Sequence, residues 1–123
     1  MLQRWEVIRI FCQNLTAPHD KFCITIDPAA GSFFFINSNP PPFRKAKALA
    51  VEIQSFEATF LTHNSFVDTT SAEIFSQEEI SNAYADQNRQ HGLLIKAVRE
   101  RIVAMVSSHQ VLEPAARAAV LEP

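Results

Sequence analysis

"KFCITID" (21–27), "PAAG" (28–31) and "SFFFIN" (32–37) decide the fold. In the first, Phe22, Ile24 and Ile26 alternate with Lys21, Thr25 and Asp27, the period-two pattern of a half-buried strand. In the second, Pro28 sets φ early and Gly31 is free to take a positive φ, so the chain turns. The third is a second strand, the natural hairpin partner of the first. Its three consecutive phenylalanines suggest burial on both faces, which requires another element to cover the sheet.

Working outward, "RWEVIRIF" (4–11) is rich in β-branched and aromatic residues and reads as a strand, and "CQNLTAPHD" (12–20) as a polar loop. "SNPPPFRK" (38–45) is excluded from a central strand, because three prolines remove three ladder donors; it reads as a long, stiff surface loop. "LAVEIQS" (49–55) and "EATFLTH" (57–63) alternate, "SFVDTT" (65–70) follows a single asparagine, and "AEIFS" (72–76) is a short final strand. Asn64 tolerates left-handed backbone, so "THN" is read as the turn between 57–63 and 65–70.

The period then changes. "SQEE" (76–79) is a capping box, with Ser76 and Glu79 bonding each other's backbone N–H, and predicts a helix over 77–87. Across "LLIKAVRERIVAMVSSH" (93–109), Leu94, Val98, Ile102 and Met105 recur at helical spacing, the surest helix in the chain. "VLEP" stands at 111–114 and again at 120–123, two copies being too few for a repeat architecture. The expectation is a single domain over 1–110 and a peripheral tail over 111–123. The fold class is mainly β with C-terminal helices: a small, strongly bent antiparallel sheet or SH3-like barrel capped by a terminal helix.

The 123 residues suffice for one domain with a core, and 47% are hydrophobic, so the chain is globular and not disordered. Net charge is −2 and the pI about 6.0, so bulk charge does not mark a nucleic-acid binder; any RNA site needs a local patch, and "FRKAK" (43–47) is the one candidate. No apolar run approaches a membrane span and the N-terminus lacks the features of a secretory signal, so a cytoplasmic location and no membrane partner are expected. Cys12 and Cys23 have neither metal-ligand nor disulfide-framework spacing and read as buried thiols. His19, His63, His91 and His109 are scattered, so neither a metal nor any other cofactor is expected.

The order of strand, polar loop, "HDKFCITID", turn, "FFFINS", long loop, alternating strands, "HNSFVDTT" and a C-terminal helix resembles the layout of the PemK/MazF-type toxins over roughly residues 4–110. The resemblance implies an SH3-like barrel with a terminal helix, endoribonuclease activity on single-stranded RNA, an antitoxin partner and a homodimer. A homodimer also agrees with ten phenylalanines, more than a small barrel easily buries. The family's loop before the second strand typically reads Gly-x-Arg-Pro, its arginine serving catalysis. Here "PHDK" (18–21) stands in that place, with Asp20 or Lys21 where the arginine would be. Ser38 of "FFFINS" matches the family's groove hydroxyl, and Asp68 and Thr69 match its Val-x-x-Asp-Gln strand.

Metal-free RNA cleavage needs a base for the 2′-hydroxyl, an acid for the leaving 5′-oxygen and a cation for the phosphorane. His19 or His63 suits base or acid, since an unperturbed imidazole titrates near pH 6.5. Asp68 suits orientation or proton acceptance, and Ser38 faces the expected groove. Lys21, Arg44 or Lys45 suits phosphate, Phe43 (or Phe66) suits stacking on an unpaired base, and Thr69 lines the same strand. Against these stand plainer roles: His63 satisfying turn backbone, Asp68 bonded to neighbouring threonine hydroxyls, His19 exposed beside Asp20, Ser38 forming a turn. The alternative function is a catalytically inactive barrel that binds protein or RNA, favoured by the absent arginine and the acidic pI.

Overall fold

The computed structural model describes residues 1–123. Seven strands form one sheet: β1 (Glu6–Cys12), β2 (His19–Asp27), β3 (Ser32–Asn37), β4 (Ala50–Ile53), β5 (Ser65–Asp68), β6 (Glu73–Ile74) and β7 (Gln90–Leu93). The spatial order is β4-β5-β3-β2-β1-β7, with β6 pairing β3 off this path. Every pairing is antiparallel. The sheet curls into a half-barrel. Four helices complete it: α1 (Arg44–Ala48), α2 (Gln77–Tyr84), α3 (Lys96–Ser107) and α4 (Pro114–Leu121).

The phenylalanine run explains how the sheet is covered. Phe34 points to the inner face with Ile24, Ile26, Ile36 and Val67, where Val98, Ile102 and Val106 of α3 and Ala116 and Val120 of α4 pack on it. Phe33 points the other way, with Ile8, Ile10 and Cys23, under Ile80 and Ala83 of α2. Phe33 and Phe34 are both wholly buried, so the expected cover is present on each face.

The 28–31 turn fixes where the second layer begins. Gly31 has φ +70, and a Cβ there would overlap the Phe75 carbonyl oxygen. The Phe75 N–H bonds the Gly31 carbonyl at 2.9 Å, so the strand that leads into α2 lies directly on this glycine. Just beyond, Ser76 Oγ accepts from Glu79 N–H at 3.1 Å, and Glu79 Oε1 accepts from Ser76 N–H at 3.0 Å, the capping box expected from the sequence.

Several boundaries differ from expectation. No strand forms over 57–63. Gln54 and Glu57 cap each other, a single 3₁₀ turn spans Ser55–Glu57, and Arg101 clamps Glu57 with two bonds of 2.6 and 2.7 Å. The alternation there marks a folded loop that buries Ala58 and Leu61. The partner of β5 is therefore β4, in the register Ile53↔Ser65 to Ala50↔Asp68. Asn64 closes the loop from within, its Oδ1 accepting from Ser55 N–H at 2.9 Å.

Residues 44 and 45, expected at the end of the 38–45 loop, open α1 (Arg44–Ala48). The helix expected over 93–109 starts only at Lys96, because Gln90–Leu93 pairs with β1 as the last strand; residues 73–74, expected as final, come before it. The segment 111–123 is not peripheral: Leu112 and Val120 are 2% and 1% exposed, and Arg4 Nη1 donates to the Ala119 carbonyl at 2.6 Å. Its small alanines let α4 sit close on α3 and β2.

Candidate functional site

The stretch from β3 to α1 builds an open cleft. Prolines 40–42 carry the chain from β3 to α1, with Pro41 buried and bends on either side, and Phe43 stands at the N-cap of α1. Between this loop and the ends of β2, β3 and β5 lies a cavity of about 520 Å³, lined by Lys21, Asn37, Ser38, Phe43 and Asp68 among others. Lys21 and Asn37 face each other across the β2–β3 pair and are hydrogen bonded through Nζ and Oδ1. The Lys21 ammonium also stands 5.2 Å from the centre of the Phe35 ring. Burial holds it below the ordinary lysine range.

Four of the residues singled out in the sequence thus meet: Lys21, Ser38, Phe43 and Asp68. Ser38 is exposed, and Phe43 is 77% exposed, an aromatic face without a protein partner. Asp68 Oδ1 accepts from Thr70 N–H at 2.9 Å and from Thr70 Oγ1 at 2.5 Å, an Asx-type turn that ends β5. Arg44 and Lys45 follow Phe43 on α1 without lining the cleft, and neither they nor Lys47 has a carboxylate within ion-pair distance.

The remaining three stand elsewhere. His19 lies opposite Cys12 at the open end of the β1–β2 pair, exposed, with Nδ1 2.6 Å from the Ala17 carbonyl oxygen. His63 precedes β5, whereas Asp68 ends it; its Nδ1 is 3.1 Å from the Asn64 carbonyl oxygen and 3.5 Å from Ser65 Oγ. Thr69 is wholly buried, donating to the Leu49 carbonyl at 2.7 Å with His109 Nε2 at 3.0 Å, so it joins β5 to the segment after α3 and reaches no open surface.

A second cluster escaped sequence reasoning. Arg89 donates to Asp20 Oδ1 at 2.9 Å, and Arg9 Nη1 lies 3.5 Å from Asp20 Oδ2. Arg9 Nη2 also donates to the Asn88 carbonyl at 2.9 Å. Close by, the His91 ring packs against Phe22 and Phe60 at 5.1 Å from each centroid, and its pKa is lowered by burial and then by the Arg9 charge. Arg9 Nε and His91 Nε2 are both buried without a hydrogen-bond partner. Only the β1–β7 pairing brings residues 9 and 89 together, and β7 has no clear strand signature; no short-range pattern could have announced them.

No group of three or more histidine, cysteine or acidic side chains is arranged to hold a metal ion. Cys12 and Cys23 are free and buried, both thiols being pushed up chiefly by burial. No helix is long and apolar enough to cross a membrane. Neither a protein-family model, nor a curated protein, nor a solved structure matches the chain.

Proposed function

We propose that the protein is an SH3-like binding module that holds single-stranded RNA in the cleft beside the proline loop, without cleaving it. One observation carries the reading: a cation at Lys21, hydroxyl and amide groups at Ser38 and Asn37, and a bare aromatic ring at Phe43 line one open cavity of about 520 Å³. Arg44, Lys45 and Lys47 continue the basic surface from it. Stacking on an aromatic ring and phosphate contact to cations are the two sequence-tolerant forces that hold unpaired bases and their backbone. The cleft contains no histidine, and Asp68 is occupied by Thr70, so the acid and base that cleavage requires are not paired there.

The test is fluorescence anisotropy with a labelled oligo(U) of about ten nucleotides. Phe43→Ala should weaken binding about 5- to 100-fold, the range expected for one stacked base. Lys21→Ala should weaken it and reduce the salt dependence by about one counterion. Absence of binding by the unaltered protein at low salt overturns the reading.

The Arg9–Asp20–Arg89 cluster with His91 favours a second reading, a metal-independent endoribonuclease of the PemK/MazF type. Two guanidinium groups meet at Asp20, within the segment where that family carries its arginine, and His91 lies in the field of one of them, Arg9. Cleavage of the same oligonucleotide in chelator, lost in His91→Ala and retained in Phe43→Ala, would establish this reading in place of the first.

A further inference from the structure

A second cavity, of about 490 Å³, opens on the α2 side of the sheet. It is lined by Phe35 of β3, Leu15 of the β1–β2 loop, Glu73 of β6, and Phe75 and Glu79 around the start of α2. Its size falls within the roughly 300–1,000 Å³ of small-molecule sites. The Phe35 and Phe75 rings, 6.2 Å apart between centroids and inclined at 54°, form an angled apolar corner. Glu73 pairs with Phe33 across the ladder, so its side chain stands on the same face as Phe33 and Phe35. It is half-buried, and no cation lies within ion-pair distance of it. Glu79 differs, since its Oε1 already accepts from the Ser76 N–H at 3.0 Å. The Lys21 ammonium stands 5.2 Å from the centre of the Phe35 ring, and Lys21 also lines the RNA cleft, so one cation joins the two cavities.

Charge and shape narrow the occupant. Glu73 and Glu79 disfavour an anion inside the cavity, and Lys21 disfavours a cation over Phe35. What fits is a neutral, flat ligand that brings adjacent N–H donors to the free Glu73 carboxylate. Among the bases, guanine alone sets two such donors side by side, N1–H and the N2 amine. Adenine and cytosine place a ring lone pair beside their amine, and uracil flanks its single N–H with carbonyls.

We propose that this cavity is a guanine-selective base pocket, in which Glu73 accepts from N1–H and the N2 amine, Phe35 and Phe75 cover the ring, and Lys21 holds the adjoining phosphate. The pocket takes a guanine nucleotide as such. That the base arrives on an RNA strand, whose neighbouring nucleotides lie in the cleft, rests on the reading above.

The probes are 5′-GMP and the labelled oligo(U) carrying one internal guanine. The guanine should tighten binding about 5- to 100-fold over plain oligo(U), the range of one bidentate base contact. Inosine in its place lacks the N2 amine and should forfeit most of the gain. Glu73→Gln replaces one acceptor by a donor and should erase the gain without weakening plain oligo(U). 5′-GMP should slow amide exchange over 12–15 and 73–75, the segments that line the cavity. Oligo(U) bound with no gain from guanine, an equal gain from adenine or cytosine, or a gain that survives Glu73→Gln would each overturn the proposal and leave the RNA cleft standing. 5′-GMP bound through Glu73 while oligo(U) is not would uphold the pocket for a free nucleotide and overturn the cleft. Binding of neither would overturn both. Arginine amide bound in preference to 5′-GMP, and lost in Glu73→Gln, would also overturn the proposal, because the cavity would then hold a guanidinium.

Discussion

His109 Nε2 lies 3.0 Å from Thr69 Oγ1, and that hydroxyl gives its single hydrogen to the Leu49 carbonyl at 2.7 Å. The ring must therefore donate from Nε2. Its other nitrogen accepts the Val111 N–H at 3.1 Å, so the imidazole is neutral and both its nitrogens are used. Adding a proton at Nδ1 would point two donors at each other.

Acid sensitivity well above the carboxylate range follows. Burial, then Arg117 and Lys45, lower the His109 pKa, with Asp68 opposing; burial and then Arg9 lower that of His91. The unfolded chain therefore takes up these protons first. Their contribution to stability is complete above the ordinary value of 6.5 and declines as the pH falls through the folded values. Urea unfolding at pH 8, 7, 6 and 5 should show the midpoint dropping below about pH 6.5. His109→Gln should flatten part of that drop. A midpoint constant from pH 8 to 5 would contradict a neutral His109 that donates from Nε2 and accepts at Nδ1.

Gly31→Ala should destabilise the protein by more than the ordinary cost of about 1 kcal/mol for a residue forced to positive φ. The added methyl meets the Phe75 carbonyl, a backbone atom that can move only with the strand leading into α2. Gly92→Ala is the control. It shares the positive φ, at +76, but a Cβ there meets nothing, so only the backbone cost should appear in thermal melts.

Phe34→Ala should cost about 3–5 kcal/mol, because the ring is wholly buried between the sheet and α3 and leaves a cavity. Phe35→Ala should cost roughly half as much or less, since that ring is only partly covered, beside Phe75. Equal losses in chemical denaturation would mean that the two faces are not packed as described.

Ending the chain after Glu113 should lower stability by on the order of 3 kcal/mol. The deletion removes Ala116 and Val120 from the inner core and the Ala119 carbonyl from Arg4. Circular dichroism melts of full-length and shortened protein measure it directly. An unchanged melting temperature would restore the view of 111–123 as a loose end.

The hairpin 21–37 and the capping box at Ser76 were legible because each is written in neighbouring residues: alternation, a Pro–Gly turn, two side chains three apart. What could not be read depends on distant partners. The 57–63 alternation imitates a strand, but Arg101, far along the chain, holds Glu57 in a turned loop. β7 is four residues, two of them Gly92 and Gln90, and is a strand only because β1 is beside it. Of the residues that line the cleft, Lys21 and Phe43 were singled out by residue type, and Ser38 and Asp68 through the family layout, before the fold placed them side by side. Arg9, Arg89 and His91 were not, since no local spacing links them.

Trp5 carries a φ of +74, and its N–H and C=O bridge the sheet, to the Thr25 carbonyl at 2.8 Å and from the Leu94 N–H at 3.0 Å. The first bond reaches β2 and the second extends the β1–β7 pairing by one residue; β1 and β7 come from opposite ends of the sheet's sequence, so that seam carries the largest loop-closure penalty of the sheet and is expected to zip last. As the sole tryptophan, Trp5 is a built-in optical probe of that late kinetic event. Stopped-flow emission should therefore lag behind far-ultraviolet ellipticity during refolding.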